Sequence, residues 1–159
     1  MSSSAITLKG MFRVHLEEDG QIVGDSGWVE NVVTNAGLNA YVLQLMAATA
    51  GSSRVTHVAL GSGAAPASNA TALPSEITDA ADSRKAVTMA TSDRTLQMTA
   101  TFASADSFIT IAKNISNIGL FATSTTDAGT ILAGNTYTGS ALATNQNVNV
   151  TYNLVYASA

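Results

Sequence analysis

The two histidines, His15 and His57, are the residues of this chain best suited to bind a metal or to transfer protons at neutral pH. A zinc site needs about three or four ligands, and the chain has no cysteine and no HxH or HExxH motif. His15 lies in a segment where polar and apolar residues alternate, and His57 lies in a short apolar run. We therefore expect His15 on the polar face of a strand and His57 packed or hydrogen-bonded inside one. Neither histidine is predicted to be catalytic or to bind a metal.

Two loops have the residue types of ligand-binding sites but not the required spacing. Gly61-Ser62-Gly63 follows a predicted strand, yet it lacks the Gly-Lys-Ser/Thr ending and the third glycine of nucleotide-binding motifs. The acidic turn Glu17-Glu18-Asp19, with Asp25 nearby, lacks the glycine and glutamate positions of a calcium-binding EF-hand. No Gly-x-Ser-x-Gly motif marks a nucleophilic serine. We predict no catalytic, cofactor-binding or metal-binding residue, and we expect that the protein is not an enzyme.

The chain is predicted to be mostly β-sheet, because apolar and polar residues alternate along much of its length. Ser92-Asp93-Arg94 joins two alternating segments as a hairpin turn, and the last segment, NVNVTYNLVY, alternates most regularly. The predicted strands cover residues 6–16, 21–23, 28–33, 55–60, 85–91, 95–102, 108–112, 115–122, 130–133 and 147–156.

One principal helix is predicted, at about residues 37–48, because apolar residues recur there at helical spacing. The residues of this apolar face are Leu38, Tyr41, Val42, Leu45 and Met46. Thr34 or Asn35 could accept hydrogen bonds from the first helical turn. A helix with one apolar face needs an apolar surface to cover it. We therefore expect an antiparallel β-sandwich or barrel with one principal α-helix packed on it.

The length of 159 residues suits a single domain, 1–159, in which residues 1–7 could be a flexible arm or add a strand to a neighbouring chain. Only 11% of the residues are charged, against about 25% in a typical domain, and charge is depleted where proteins contact each other. We therefore expect protein to cover part of the surface. The net charge of −4 and the scattered basic residues argue against nucleic-acid or membrane partners. No apolar run reaches the roughly 18 residues of a transmembrane helix, and no signal-peptide pattern is present, so we expect synthesis in the cytoplasm.

The order of several short motifs resembles that of small structural proteins of tailed bacteriophages. A strand, a turn and a second strand are followed by N-x-V-T-N-x-G-L at residues 31–38. The later motifs cover nearly the whole remaining chain: VTHVALGSGAAP (55–66), TAL (71–73), an arginine before the hairpin (Arg84), ISNIGLF (115–121) and DAGTILA (127–133). One departure is Ser116-Asn117, where the family often has an acidic residue, and we expect it to alter only surface chemistry.

In that family, related blocks occur in tail-fibre attachment domains and in stand-alone proteins of the capsid or tail. The sequence has no fibre shaft and no receptor-binding tip, so the resemblance implies a capsid decoration (cement) protein. Such a protein lies across junctions of the major capsid protein on the outside of the virion, as a homo-oligomer and by analogy a trimer. The alternatives are a tail, tail-tip, baseplate or neck component, or a tail-fibre attachment domain. A carbohydrate-binding β-sandwich would need clustered aromatic residues, whereas Trp28 and the four tyrosines are widely spaced.

Overall fold

The structure of the protein, a computed structural model, describes residues 6–37, 54–80, 83–92 and 95–158. Ten antiparallel strands form most of this part of the chain. They are β1 (Ile6–Glu18), β2 (Gln21–Asp25), β3 (Val29–Val33), β4 (His57–Gly61), β5 (Arg84–Ala86), β6 (Thr88–Ser92), β7 (Thr95–Phe102), β8 (Lys113–Phe121), β9 (Ala133–Leu142) and β10 (Asn147–Ser158). The prediction of a mainly β, antiparallel fold is confirmed.

The strands form two sheets that together make an almost closed barrel. Sheet A contains β2, β1, β10, β7 and β6, and sheet B contains β9, β8, β4 and β5. In β3, the residues Val29 to Asn31 pair with β1 of sheet A, whereas Val32 and Val33 pair with β9 of sheet B. The consecutive strands β5 and β6 form the second such corner, because β5 pairs with β4 and β6 pairs with β7. Strands that change sheets at their bends are the usual way to turn the corners of a barrel-like sandwich.

The core lies between the two sheets and is built from alternate residues of each strand. On β1 and β10 in sheet A, the buried residues are Phe12, Val14, Leu16, Val148, Val150, Tyr152 and Leu154. Phe12 stacks on Tyr152 with ring centroids 5.8 Å apart and meets the edge of Tyr137 at 5.9 Å. The residues that lie between these buried ones on the same strands therefore face outward, and they form the outer surface of sheet A.

The outer face of sheet B is covered by the chain's own loops. A second apolar cluster, Ala59, Leu73, Phe121 and Ile131, lies between the sheet and these loops. The loop after β4 is tied to the sheet by backbone hydrogen bonds from Ile77 N–H to the Leu60 carbonyl (2.9 Å) and from Ser62 N–H to the Ser75 carbonyl (3.1 Å). The part of sheet B around Ala59 and Phe121 is therefore covered on both sides, whereas no loop of the described chain is seen to cover sheet A in this way.

The principal helix is the part of the predicted fold that the described residues do not bear out. Their helical residues are a turn at Asn35–Gly37 and a 3₁₀ turn at Ser104–Asp106. Almost all of the predicted helix, 37–48, lies outside the described residues. The expected cap is present, because Gly37 N–H donates to Thr34 Oγ1 at 2.9 Å. Within the described chain, no helix is long and apolar enough to span a membrane.

Three strand predictions also need correction. Residues 108–112 form no strand, because Phe108 and Ile109 are buried from a loop, with Phe108 against Phe102 at 5.3 Å. The strand predicted at 130–133 is wrong for residues 130–132, and β9 runs instead from Ala133 to Leu142, although its sequence shows little alternation. The predicted N-terminal arm is shorter than 1–7, because residues 6 and 7 already pair with residues 158 and 157 of β10. Residues 1–5 lie outside the described part.

Candidate functional site

The structure does not bring the two histidines together. His57 begins β4 in sheet B, and its Nδ1 lies 2.8 Å from Thr56 Oγ1. Burial, and secondarily the charge of Arg84, lowers the pKa of His57 below its usual value. His15 lies on the outer side of β1 in sheet A, with Nε2 3.4 Å from Asp25 Oδ1. Among the described residues, no group of three or more histidine, cysteine or acidic side chains could hold a metal ion.

The acidic residues near the first hairpin bind neighbouring side chains rather than one another. Asp25 accepts from Arg13 through both carboxylate oxygens and from Gly27 N–H at 2.9 Å. These bonds, that of Arg13 first, hold the pKa of Asp25 well below its usual value. Glu17 accepts from Asn149 at 2.9 Å, and Glu18 accepts from two amides of the 143–146 turn. The carboxylates are therefore engaged by groups of the hairpin, of β10 and of the 143–146 turn.

The glycines of Gly61-Ser62-Gly63 allow close packing. A Cβ at Gly61 would lie 2.3 Å from Asn117 Oδ1, and one at Gly63 would lie 2.4 Å from the Pro74 carbonyl. Asn117 is fully buried and donates to the carbonyls of Pro74 (2.8 Å) and Ala64 (3.1 Å). The expectation that Asn117 alters only surface chemistry is therefore wrong, because its amide ties the loop onto sheet B.

A buried ion pair lies under the same loop, and sequence reasoning did not predict it. Arg84 donates to Glu76 through Nε (2.6 Å) and Nη2 (2.8 Å), with side chains only 1% and 2% exposed. Its Nη1 donates to the carbonyls of Thr123 (3.2 Å) and Ala128 (2.8 Å), and its guanidinium lies 3.6 Å from the ring centre of Phe121. We call this group the arginine clamp. Its donors are occupied by the protein itself, so it ties two loops to the sheet and offers no position for a substrate.

The outer face of sheet A carries a patch without charged residues on the neighbouring strands β10 and β7. Outward-facing residues of the neighbouring strands β10 and β7 form three opposed pairs. We call these six residues the neutral face: Asn149 with Thr101, Thr151 with Thr99, and Asn153 with Gln97. The three residues of β7 are exposed and those of β10 are half-buried. In the sequence, these polar residues alternate with the buried residues of the same strands. That pattern predicts that they face outward.

Side chains of the neutral face bond to each other across the strands. Thr101 Oγ1 donates to Asn149 Oδ1 at 2.8 Å, and Gln97 Nε2 donates to Asn153 Oδ1 at 3.3 Å. Such cross-strand pairs stabilise a sheet. These hydrogen bonds also satisfy polar groups that would otherwise bond to water.

Comparisons with known proteins assign no family to this chain. No family model matches it, and no curated protein or solved structure gives a significant match. The neutral face is therefore the candidate functional site, on the grounds of its own geometry.

Proposed function

We propose that the protein is a structural protein of a tailed-bacteriophage virion, most specifically a capsid decoration protein. In this proposal it binds the outside of the assembled head across junctions of the major capsid protein. The neutral face is the contact surface and is the observation that carries the proposal. The motif order described above supports the assignment to a virion, and the neutral face supports a role in protein–protein contact.

The neutral face suits protein contact because four of its six residues are already joined by hydrogen bonds. Burying an unpaired polar group costs about 1–3 kcal/mol, whereas a group that keeps its hydrogen bond avoids most of that cost. The amides and hydroxyls of Thr101, Asn149, Gln97 and Asn153 already bond in pairs. None of the six residues is itself charged, which matches the depletion of charge in interface cores, and the neighbouring carboxylate of Glu17 accepts from Asn149 at 2.9 Å. A specific interface buries about 800 Å² on each partner, so the contact would extend beyond the six residues, onto exposed neighbours such as Met11.

The basic residues give no comparable surface for nucleic acid. Five of the seven lysines and arginines form ion pairs: Lys9, Arg13, Arg84, Lys85 and Lys113. A nucleic-acid surface needs cationic groups that are available to phosphates. These pairs therefore favour a protein partner.

Two alternatives remain as outcomes of the test. A tail or neck component could use the same neutral face, so the position on the particle decides between head and tail. A carbohydrate-binding role is less well supported, because Trp28, 45% exposed, is the one aromatic among the large exposed apolar residues of the described chain. Sugar rings stack on aromatic faces, and a single ring offers one such contact.

The test is reconstitution on phage particles that encode this chain but lack the protein. Purified protein is added, and bound copies per major capsid protein are counted by quantitative mass spectrometry. We expect a fixed ratio and a higher temperature of DNA release, because a ligand that binds only the intact lattice stabilises it. Binding to tails alone would support the tail alternative, and no binding to the virion would refute the proposal.

Charge substitutions test the neutral face separately. Thr99→Lys and the double variant Thr99→Lys/Thr151→Lys place charge at the centre of the face, and both should greatly reduce binding. Thr138→Lys, at an exposed position of β9 in sheet B, is the matched control and should bind like the wild type. If all three variants bind normally and melt like the wild type, the contact lies on another surface.

A further inference from the structure

Within the part of the chain that the structure describes, strand β6 is hydrogen-bonded along one side only. It is the last strand of its sheet and pairs only with β7, from Thr88 opposite Thr99 to Ser92 opposite Thr95. All five of its residues are exposed. Among the described residues, no backbone hydrogen bond joins its other side to a further strand. An edge of this kind presents backbone N–H and C=O groups that can pair with another chain.

Other strands at sheet ends carry features that hinder such pairing, and β6 does not. The pairing of β2 with β1 contains a bulge at Leu16/Glu17, and β2 ends with the charged Asp25. The short β5 has only three residues, and one of them is the charged Lys85. Charge, bulges and short length are the devices by which natural edge strands avoid association. The sequence of β6, TMATS, has no charge and no proline, and its register with β7 is regular.

The residues of β6 are compatible with a second copy of the same strand. In an antiparallel pair centred on a twofold axis at Ala90, Thr88 faces Ser92 of the second copy and Met89 faces Thr91. The residue on the axis faces itself, and alanine is small enough to allow close approach. Facing hydroxyls can hydrogen-bond, and no like charges face each other. The pair would also cover Met89, a large apolar side chain that is 41% exposed.

We propose that β6 is the self-association edge of this protein, and that two copies join through antiparallel β6–β6 pairing into one continuous sheet. We choose a second copy as the occupant because the residues of β6 match themselves in an antiparallel pair. The chain has a net charge of −4, so two copies repel each other on average. Neither β6 nor the adjacent neutral face contributes a charge to that repulsion. The pairing is isologous and makes a dimer, not the trimer that the phage resemblance implies. It would place the two neutral faces side by side on one sheet.

Single-cysteine variants test this geometry directly, because the natural chain has no cysteine. Facing Cβ atoms in an antiparallel pair lie about 4.5–5.5 Å apart, close to the range that a disulfide spans. Ala90→Cys should therefore form a covalent dimer quickly under mild oxidation. Thr138→Cys, exposed on β9, is the matched control and should remain mostly monomeric. Cross-linking of Ala90→Cys no faster than that of the control would contradict the proposal.

Sedimentation equilibrium of the wild type and Ala90→Lys gives a second, independent readout. One strand pair is a small contact, so association is measured up to about 1 mM protein. The wild-type mass should rise from 16.2 kDa towards twice that value. Ala90→Lys, which places like charges on the axis, should stay monomeric and melt like the wild type. A monomeric wild type, a trimer, or undiminished association of Ala90→Lys would overturn the proposal. No phage particle is needed, so the outcome is separate from that of the proposed virion function.

Discussion

Removing one partner of the arginine clamp should destabilise the protein far more than removing an exposed ion pair. Glu76→Gln keeps the shape of the side chain but leaves the Arg84 charge without its carboxylate, at a site where the arginine side chain is 1% exposed. Breaking a buried pair in this way costs about 3–5 kcal/mol. Natural domains are stable by about 5–15 kcal/mol, so the variant should lose a large share of its stability.

The opposite substitution, Arg84→Met, should cost at least as much. It leaves the Glu76 carboxylate buried and also removes the donors to the carbonyls of Thr123 and Ala128. The double variant Arg84→Met/Glu76→Leu has no buried charge at this site. Its loss should be smaller than the sum of the two single losses by about 2–3 kcal/mol, the upper range for directly contacting residues.

Urea unfolding measures these free energies. The slope with urea should be similar in all variants, because the exposed surface on unfolding is nearly unchanged. The control is Lys9→Met, which breaks the pair of Lys9 with Glu30 at 3.9 Å, where the side chains are 63% and 68% exposed. It should change stability by less than about 1 kcal/mol. A similarly small effect of Glu76→Gln, or strictly additive single losses, would refute the reasoning.

Further predictions concern close packing and pH. Gly10→Ala should destabilise the protein by about 1–3 kcal/mol, because the added Cβ would lie 1.9 Å from Asn31 Oδ1. The loss should be smaller when Asn31 is also replaced by glycine. Chemical unfolding of the wild type and Gly10→Ala, each with and without Asn31→Gly, checks this. Burial and the charge of Arg84 lower the pKa of His57 in the folded protein, so the unfolded chain binds a proton at this histidine more readily. The stability should therefore fall as the pH drops below about 6.5. The variant His57→Gln should lack this fall. Hydrogen bonds from Lys113 and Thr110 lower the pKa of Asp79, so its contribution, present above about pH 4, should be lost on further acidification. Urea midpoints between neutral and acidic pH test both steps, and Asp79→Asn should flatten the second; midpoints independent of pH would contradict them.

Alternation of apolar and polar residues predicted several strands correctly. It gave wrong predictions where tertiary packing, and not alternation, determines the structure. The first and last strands and the β6–β7 hairpin were found from their pattern. Most of β9 lies beyond the predicted strand 130–133 because Gly134 interrupts the pattern, yet that glycine is needed where a Cβ would lie 2.4 Å from the Ile118 carbonyl. Phe108 and Ile109 suggested a strand, but their burial comes from a loop.

The candidate site was only partly visible in the sequence. Alternation in residues 95–102 and 147–156 indicates that Thr99 and Thr151 face outward, but only the register of β7 with β10 places them side by side. The arginine clamp could not be inferred, because Glu76 reaches Arg84 only after the loop folds back onto sheet B. Arginine and glutamate are usually exposed, so their types gave no sign of a buried pair.

The two corner strands determine how the barrel would carry a mechanical load. Around most of the barrel, adjacent strands are held together by rows of hydrogen bonds. At β3 and at the β5–β6 junction, one continuous backbone passes from one sheet into the other. Pulling the sheets apart therefore stretches covalent chain at both seams, and hydrogen-bonded rows must slide before either seam can open. A domain built in this way would resist separation of its sheets without a disulfide, which this cysteine-free sequence cannot form.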